Sequence, residues 1–588
     1  MASSRAADFA VQAPLAVILL AVPRLFGDYY AYQIGLYLLY GIATQGVALC
    51  WGQAGFLSLG QAVFFGTGAY LSGLILRAAT QHASWLALLP LCLLTPALLA
   101  YIVGRLVFAR RVDSGPYFSL ITLALAMLAT VLANSWSGMT GGFNGLTGIP
   151  DLPGTDRYAT LYYVIAAGAI AWTALFSWLR HKPLGVLWTA LAQNEDRLQF
   201  FGFATDRLKA CAFAVSAAAA GFAGALYAPQ EGIVTPDAIG ILLSTQFVIW
   251  AAVGGRHSPV GSQLGALSIG LLSAALRDRY PFWEALTALV FIGSVLWLPN
   301  GLAGAAAALG SGLTRPKRAC RGPDIAAPLP AYRCDPIPGA PKLVFDQVHV
   351  KRGPVAILDG LALHIAKRGI TCLIGPNGAG KTSIFNALTG RLAPSLGSIT
   401  LDAHEISRHK AWQVARLGIG RKFQIPSVFM TLTVEQNLLV ALWANRLGAA
   451  AYLDRRPLRW ATPLKHALLG RLPMLRAYQH APAATLSQGA RQMLEFVMVA
   501  LMEPRLFLLD EPCAGLSPGE THQLLGTIIW VVDQLDASAL LIEHDMSAVE
   551  AINGQILVLH QGRLLAEGPL THIKASEQVR AVYAGGRK

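Results

Sequence analysis

Apolar stretches of about the length needed to cross a bilayer as a helix recur through the first 300 residues, at 10–26, 31–50, 62–79, 85–107, 117–134, 160–179, 211–228, 239–253, 260–276 and 283–300. Glycine and proline break several of them, so the pattern predicts eight to ten spans. From residue 303 the pattern changes. Ala- and Gly-rich sequence runs into Arg315, Pro316, Lys317 and Arg318, and Pro323, Pro328, Pro330, Pro336, Pro338 and Pro341 follow. Such a proline-dense tract is an extended, semi-rigid tether without a core. Beyond it, apolar runs of strand length at 370–374, 506–509 and 539–542 alternate with helix-like segments. The expectation is a multi-domain chain: an N-terminal all-α polytopic membrane domain at 1–302, a cytosolic linker at 303–341 and a C-terminal α/β domain at 342–588.

Charge sharpens the division. Of 588 residues, 54% are hydrophobic and 13% charged, whereas a soluble protein carries about 25% charged residues. Residues 1–310 hold 15 basic and 12 acidic side chains, and the remaining 51 charges fall in 311–588. Disorder, collagen and a small disulfide scaffold are excluded by this composition. The net charge of +14 does not predict a nucleic-acid partner. Part of the surplus sits just after the last apolar segment, where membrane topology places it, and no basic stripe with interleaved aromatics occurs. With the N-terminus inside, Arg5, Arg105, Arg110, Arg111, Arg180, Lys182, Arg197, Arg207, Lys209 and Arg256 fall on the cytoplasmic side. Arg24, Arg77, Arg157, Arg277 and Arg279 fall outside. That bias predicts both ends inside and the α/β domain in the cytosol. The seven cysteines form no CxxC pair, which fits free thiols in a reducing compartment.

Two Gly-rich stretches, at 52–61 and 140–148, interrupt the apolar pattern. Each is either a break lining a cavity at membrane depth, or a place where glycine permits close helix packing or forms an external loop. Paired carboxylates for a proton relay are missing from the spans, so energy for any transport has to come from elsewhere in the chain. The interval 180–209 is the longest polar stretch on the predicted cytoplasmic side. It contains Gln193, Asn194, Glu195, Asp196 and Arg197. Its short helix either presses on the soluble domain or forms a solvated connection.

The α/β half carries the chemistry. After the apolar run 370–374 come Gly375, Pro376, Asn377, Gly378, Ala379, Gly380, Lys381 and Thr382, then a helix-like run from Ser383. Strand, glycine loop and helix is the context a phosphate-binding loop requires. Its backbone N–H groups wrap phosphates at a helix N-terminus, Lys381 reaches the β- and γ-phosphates, and Thr382 holds Mg²⁺. About 130 residues further on, an apolar run ends in Asp510 and Glu511. Asp510 fits a Mg²⁺ position and Glu511 a base that polarises the attacking water. Gln424 lies between these motifs, Leu486-Ser487-Gln488-Gly489-Ala490 precedes the carboxylates, and His544 follows the apolar run 539–542.

These elements in this order resemble the ATP-binding cassette over about 343–588. The resemblance implies ATP and Mg²⁺ as ligands, with metal contacts from Thr382, Gln424 and Asp510. It also implies a contact of His544 with the γ-phosphate, and donation of Ser487 and Gly489 to the nucleotide of a second cassette. The first half, through 52–70, 117–124, 140–150, Asn194 to Arg197 and Val253-Gly254-Gly255-Arg256, resembles the bacterial permease family that imports branched-chain amino acids or urea and short-chain amides. The runs 250–256, 421–424 and 559–562 lean towards the urea and amide branch. The implied assembly is an importer in the bacterial inner membrane, with a second permease subunit, a second ATPase subunit (or another copy of this chain) and an extracytoplasmic solute-binding protein. Fusion of membrane and cassette halves is also common in exporters, and a membrane-anchored ATPase that moves no solute is a third reading. Gln488 and Ala490 depart from the family's signature, and Arg352 stands where it has an adenine-stacking aromatic.

Overall fold

The computed structural model describes residues 2–80, 82–109, 116–277, 279–298, 301–305, 343–365, 368–402 and 404–585. The tether from 306 to 341 lies outside these residues, as do Arg110 and Arg111 of the charge bias and the side chain of Arg352. The chain divides into two compact units, Met1–Ala192 with Asp206–Gly322, and Gln193–Thr205 with Pro323–Lys588. The polar segment 193–205 thus belongs to the second unit, although the residues flanking it in sequence belong to the first.

The first unit is helical. Among the described residues seven helices are long and apolar enough to cross a membrane: Asp28–Gln53, Gln61–Ala79, Ser84–Phe108, Pro116–Ser135, Leu161–Arg180, Thr205–Glu231 and Pro259–Arg277. Pro14–Phe26 and Ile241–Gly254 are shorter apolar helices. We number α1 (Asp28–Ala48), α2 (Gln61–Ala79), α3 (Pro116–Ser135), α4 (Leu161–Arg180), α5 (Glu195–Gln199), α6 (Thr205–Glu231), α7 (Ile241–Gly254) and α8 (Pro259–Arg277). Between apolar helices in lipid, small residues and polar side chains supply the attraction. Gln45 Nε2 on α1 donates to Thr173 Oγ1 of α4 at 2.6 Å and to Gln263 Oε1 of α8 at 3.1 Å. Gln263 Nε2 in turn donates to Leu38 O at 3.1 Å.

Both Gly-rich stretches leave the α-helix. The first begins within a π-turn, Leu49–Gln53, and regains α-helix only at Gln61. In the second, Leu146 N donates to Val234 O at 2.8 Å and Val234 N to Leu146 O at 3.0 Å. A second irregular segment therefore satisfies peptide groups that the break releases.

In the second unit the described strands form two sheets. β1 (Leu343–Arg352), β2 (Val355–Ile365), β4 (Leu396–Leu401) and β5 (His404–Glu405) pair antiparallel in the order β2-β1-β4-β5. The other sheet runs β10-β9-β3-β8-β7-β6, with β3 (Gly369–Ile374), β6 (Ile419–Lys422), β7 (Leu506–Asp510), β8 (Ser538–Ile542), β9 (Gln555–His560) and β10 (Arg563–Gly568). β6, β7, β8, β3 and β9 are parallel neighbours. Every residue of β6, β7 and β8 is buried, as expected of parallel strands covered on both faces. Helices α9 (Lys381–Leu388), α10 (Gln488–Leu501) and α11 (Pro518–Gln534) complete the elements that carry motif residues.

Candidate nucleotide site

Parallel strands open their ligand crevice at their carboxyl ends, and there the motif residues gather. β3 leads into Gly375, β6 into Gln424, β7 ends on Asp510 beside Glu511, and β8 leads to His544. In the glycine loop Gly375 and Ala379 are buried, Pro376, Gly380 and Ser383 half-buried, and Asn377, Gly378 and Thr382 exposed. Gly380, at φ 102°, caps α9 in a conformation that a side chain would oppose. Lys381 opens the helix, and its Nζ donates to Gly375 O at 2.7 Å and Pro376 O at 3.0 Å. Burial lowers its pKa, while Glu511 and Asp510 pull it back up.

Glu511 occupies the centre of the remaining group. Gln424 Nε2 donates to its Oε2 at 2.7 Å, and His544 Nε2 lies 2.8 Å from its Oε1. Its backbone is left-handed, φ 42°, and its N–H bonds Ile542 O at 3.0 Å, which ties the carboxylate to β8. Asp510 is 3% exposed. Burial raises its pKa, and Arg421, whose Nη2 is 3.8 Å from Asp510 Oδ2, opposes the rise.

The signature residues serve a different junction. Ser487 caps α10, its Oγ accepting from Ala490 N at 3.2 Å. Gly489 is buried, and a Cβ there would lie 2.4 Å from Glu520 Oε1 at the start of α11. Among the described residues no group of three or more His, Cys, Asp or Glu forms a metal cluster. The candidate cation donors are instead a hydroxyl, an amide oxygen and a carboxylate, from Thr382, Gln424 and Asp510. That all-oxygen set fits Mg²⁺, which keeps waters and substrate phosphates as its other ligands.

Sequence reasoning gave no role to a second layer of charges. Arg421 Nη1 donates to Asn386 Oδ1 at 2.9 Å and Thr389 Oγ1 at 2.8 Å, fixing its guanidinium beneath α9 and next to Asp510. Glu543 is buried behind His544, and its Oε1 accepts from Cys513 N at 3.2 Å. Burial raises its pKa. Glu495 had a legible signal, since it is a lone carboxylate in the apolar run of α10, and a buried charge needs a partner.

Residues 29–298 match the family described as the branched-chain amino acid transport system, permease component, and residues 358–514 match the ABC transporter family. Over 253 residues, 42% of this chain, the sequence is 35% identical to the high-affinity branched-chain amino acid transport ATP-binding protein LivG of Salmonella typhimurium, 98% of which is covered. The corresponding protein BraF of Pseudomonas aeruginosa is 35% identical over 251 residues, again 42% of this chain and 98% of that one. A crystal structure of a nucleotide-free ATP-binding cassette from an ABC transporter superposes on 41% of the chain, and 98% of its own, at 23% identity with a TM-score of 0.36. The chain belongs to the ABC transporters, and carries a permease component and an ATP-binding component in one polypeptide.

Proposed function

We propose that the chain imports branched-chain amino acids across the bacterial inner membrane, driven by hydrolysis of ATP on its cytoplasmic face. In this reading residues 1–302 are the permease, 303–341 the tether and 342–588 the cassette. The observation that carries the ATPase is the Glu511 carboxylate, held between Gln424 and His544 at the strand ends beside the phosphate-binding loop. The substrate rests on the permease family and on the branched-chain amino acid transport that LivG and BraF serve.

Residues 375–383 wrap the phosphates with backbone N–H groups at the start of α9. Lys381 exchanges its two carbonyl acceptors for β- and γ-phosphate oxygens. Thr382, Gln424 and Asp510 hold Mg²⁺, which supplies charge neutralisation to the phosphates. Glu511 takes a proton from water as the water oxygen bonds to the γ-phosphorus, and the bond to the bridging oxygen breaks to release ADP. Each Glu511 oxygen has one polar partner, Gln424 or His544, and keeps a further lone pair that can accept the water proton. Ser487 and Gly489 serve the nucleotide of a second cassette, a separate subunit or another copy of this chain. A second permease subunit and an extracytoplasmic solute-binding protein complete the assembly.

The test is uptake of radiolabelled leucine, urea and a short-chain amide in cells lacking the gene, restored with wild type or with Lys381→Ala. Leucine uptake rescued by wild type alone is expected. Rescue of urea or amide uptake without leucine would reassign the substrate, and equal rescue by Lys381→Ala would remove ATP as the driver.

A further inference from the structure

A cavity of about 530 Å³ opens within the first unit, lined in part by Tyr40, Met127, Val131, Tyr227, Asp237 and Leu242. Its size lies within the range of small-molecule sites, ~300–1,000 Å³.

Its depth follows from where its residues stand along their helices. Tyr40 is at the midpoint of the 26-residue span Asp28–Gln53, and Met127 and Val131 lie in the second half of the 20-residue span α3. Tyr40 packs between Tyr227 of α6 and Trp250 of α7, with ring centroids 6.1 and 5.5 Å away. The cavity is therefore at span depth, not at the end of a loop.

Two of its features are costly there unless they meet a polar ligand or water. The first is Asp237, which is exposed in the 3₁₀ turn Pro236–Ile239 between α6 and α7. Among the described residues no ion pair or side-chain hydrogen bond engages its carboxylate. A carboxylate facing lipid at this depth is unfavourable, whereas one facing a polar passage is where solute pathways place it. The second is the N-terminus of α7. Its 14 residues extend about 21 Å, short of a hydrocarbon core of about 30 Å. The helix starts after Gly240 with no side-chain cap, and its first turn lines the cavity. Uncapped N–H groups at a half-helix start attract anionic solute groups.

Beside these polar groups, and the side chains of Thr130, Thr235 and Gln246, the lining carries exposed aliphatic side chains from α3 and from the first turn of α7 itself. Leu242 is 75% exposed, Val131 60% and Met127 54%. We propose that this cavity is the permease's solute site and takes an aliphatic α-amino acid. Its ammonium meets Asp237, its carboxylate meets the N-terminus of α7, and its side chain lies on Met127, Val131 and Leu242. The proposal rests on the import reading above and assigns residues to it. A neutral urea or amide could hydrogen-bond Thr130, Thr235 or Gln246 but would leave Met127, Val131 and Leu242 and the charge of Asp237 unmatched.

The test is site-specific protection in the assembled, membrane-reconstituted complex. Val131→Cys is treated with a small cationic thiol reagent, and modification at residue 131 is followed by peptide mass spectrometry, which separates it from the native cysteines. Leucine is expected to slow modification at least fivefold, urea and acetamide to leave it unchanged, and Asp237→Asn added to Val131→Cys to abolish the protection. Leu242→Cys provides the same readout from a second wall position should Val131→Cys fail to assemble. Absence of protection by leucine at both positions, in a complex that takes up leucine, overturns the site. Protection by urea or acetamide alone overturns the amino-acid class. A wild-type complex that takes up none of the three solutes instead overturns the import reading itself.

Discussion

Arg197 Nη1 lies 3.2 Å from Glu495 Oε1, and neither side chain has any exposure to solvent. Arg197 is on α5 in the short segment 193–205, and Glu495 is on α10, the helix that Ser487 of the signature begins. The same guanidinium donates to Arg421 O at 2.8 Å, and Glu495 Oε1 also accepts from Phe423 N at 3.2 Å. Phe200 packs on Phe423 with ring centroids 5.0 Å apart. One buried pair therefore links the segment leading into span α6 to the strand before Gln424 and to the signature helix. Burial lowers the pKa of Arg197, with Glu495 holding the charge in place.

Removing one member of a buried pair leaves an uncompensated charge and costs about 3–5 kcal/mol, whereas replacing both by apolar residues is often neutral. Arg197→Ala is expected to lower the unfolding midpoint of the second unit and to reduce solute uptake more than ATP hydrolysis. Arg197→Met with Glu495→Leu is expected to recover most of the stability but not the coupling. Thermal unfolding and moles of solute per ATP, measured over the double-mutant cycle, check this. Equal loss of uptake and hydrolysis in Arg197→Ala would assign the pair to stability alone.

Glu511→Gln keeps the shape of the carboxylate and removes its basicity. Loss of a positioned general base lowers turnover by about 10²–10⁴-fold, while the phosphate loop around Lys381 is untouched. The variant is expected to retain ATP and hydrolyse it at that reduced rate, read as bound unhydrolysed nucleotide after gel filtration. Turnover at the wild-type rate would move the base elsewhere, with His544 the next group to replace.

Much of this site was legible because its parts are local. Gly375 to Ser383 is one continuous motif, and Asp510 and Glu511 end a run of apolar residues that reads as a strand. Those signals need only short-range chemistry, and strands β3 and β7 form where that chemistry places them. The contacts within the site were not legible, because Gln424, Glu511 and His544 meet only through the order of β6, β7, β8 and β3 across the sheet. Assignment of 193–205 to the second unit was equally hidden, since its polarity fits a solvated loop as well as a docked helix. The cavity beside Asp237 escaped for the opposite reason. A single carboxylate near a short apolar run carries no motif, and its meaning depends on how deep α7 starts.

The acid dependence of nucleotide binding follows from Asp510. Burial raises its pKa and Arg421 partly offsets the rise. A carboxyl with a raised pKa takes up its proton at a higher pH than an exposed aspartate, and the protonated form is a poor Mg²⁺ ligand. Affinity for Mg²⁺-ATP is therefore full above the raised value and falls as pH drops through it. Arg421→Leu removes the opposing charge and is expected to move that acid limb to higher pH. Titration of Mg²⁺-ATP affinity against pH in both proteins is the measurement. An unmoved limb in Arg421→Leu would mean another group titrates there.

Gly52 separates the two readings of the first Gly-rich stretch. A Cβ built on it would lie 1.9 Å from the carbonyl oxygen of Arg256 and 2.6 Å from its carbon. Those are backbone atoms, so no side chain can swing aside to make room. The same approach brings His257 Nδ1 to 2.9 Å from Gly52 O and sets the Arg256 guanidinium 4.9 Å from the Trp51 ring centroid. At this position glycine permits close packing of two backbone segments. Forcing a methyl into such a contact costs about 1–3 kcal/mol. Gly138, with nothing within 4 Å of its Cβ position, supplies the matched control, and alanine there is expected to be neutral or to stabilise by about 0.4–1 kcal/mol. Thermal unfolding of the detergent-solubilised protein, followed by tryptophan fluorescence, should show Gly52→Ala unfolding at lower temperature and Gly138→Ala at or above the wild-type temperature. If Gly52→Ala unfolds with wild type but loses uptake, close packing is not what requires this glycine, and the stretch serves the solute pathway instead.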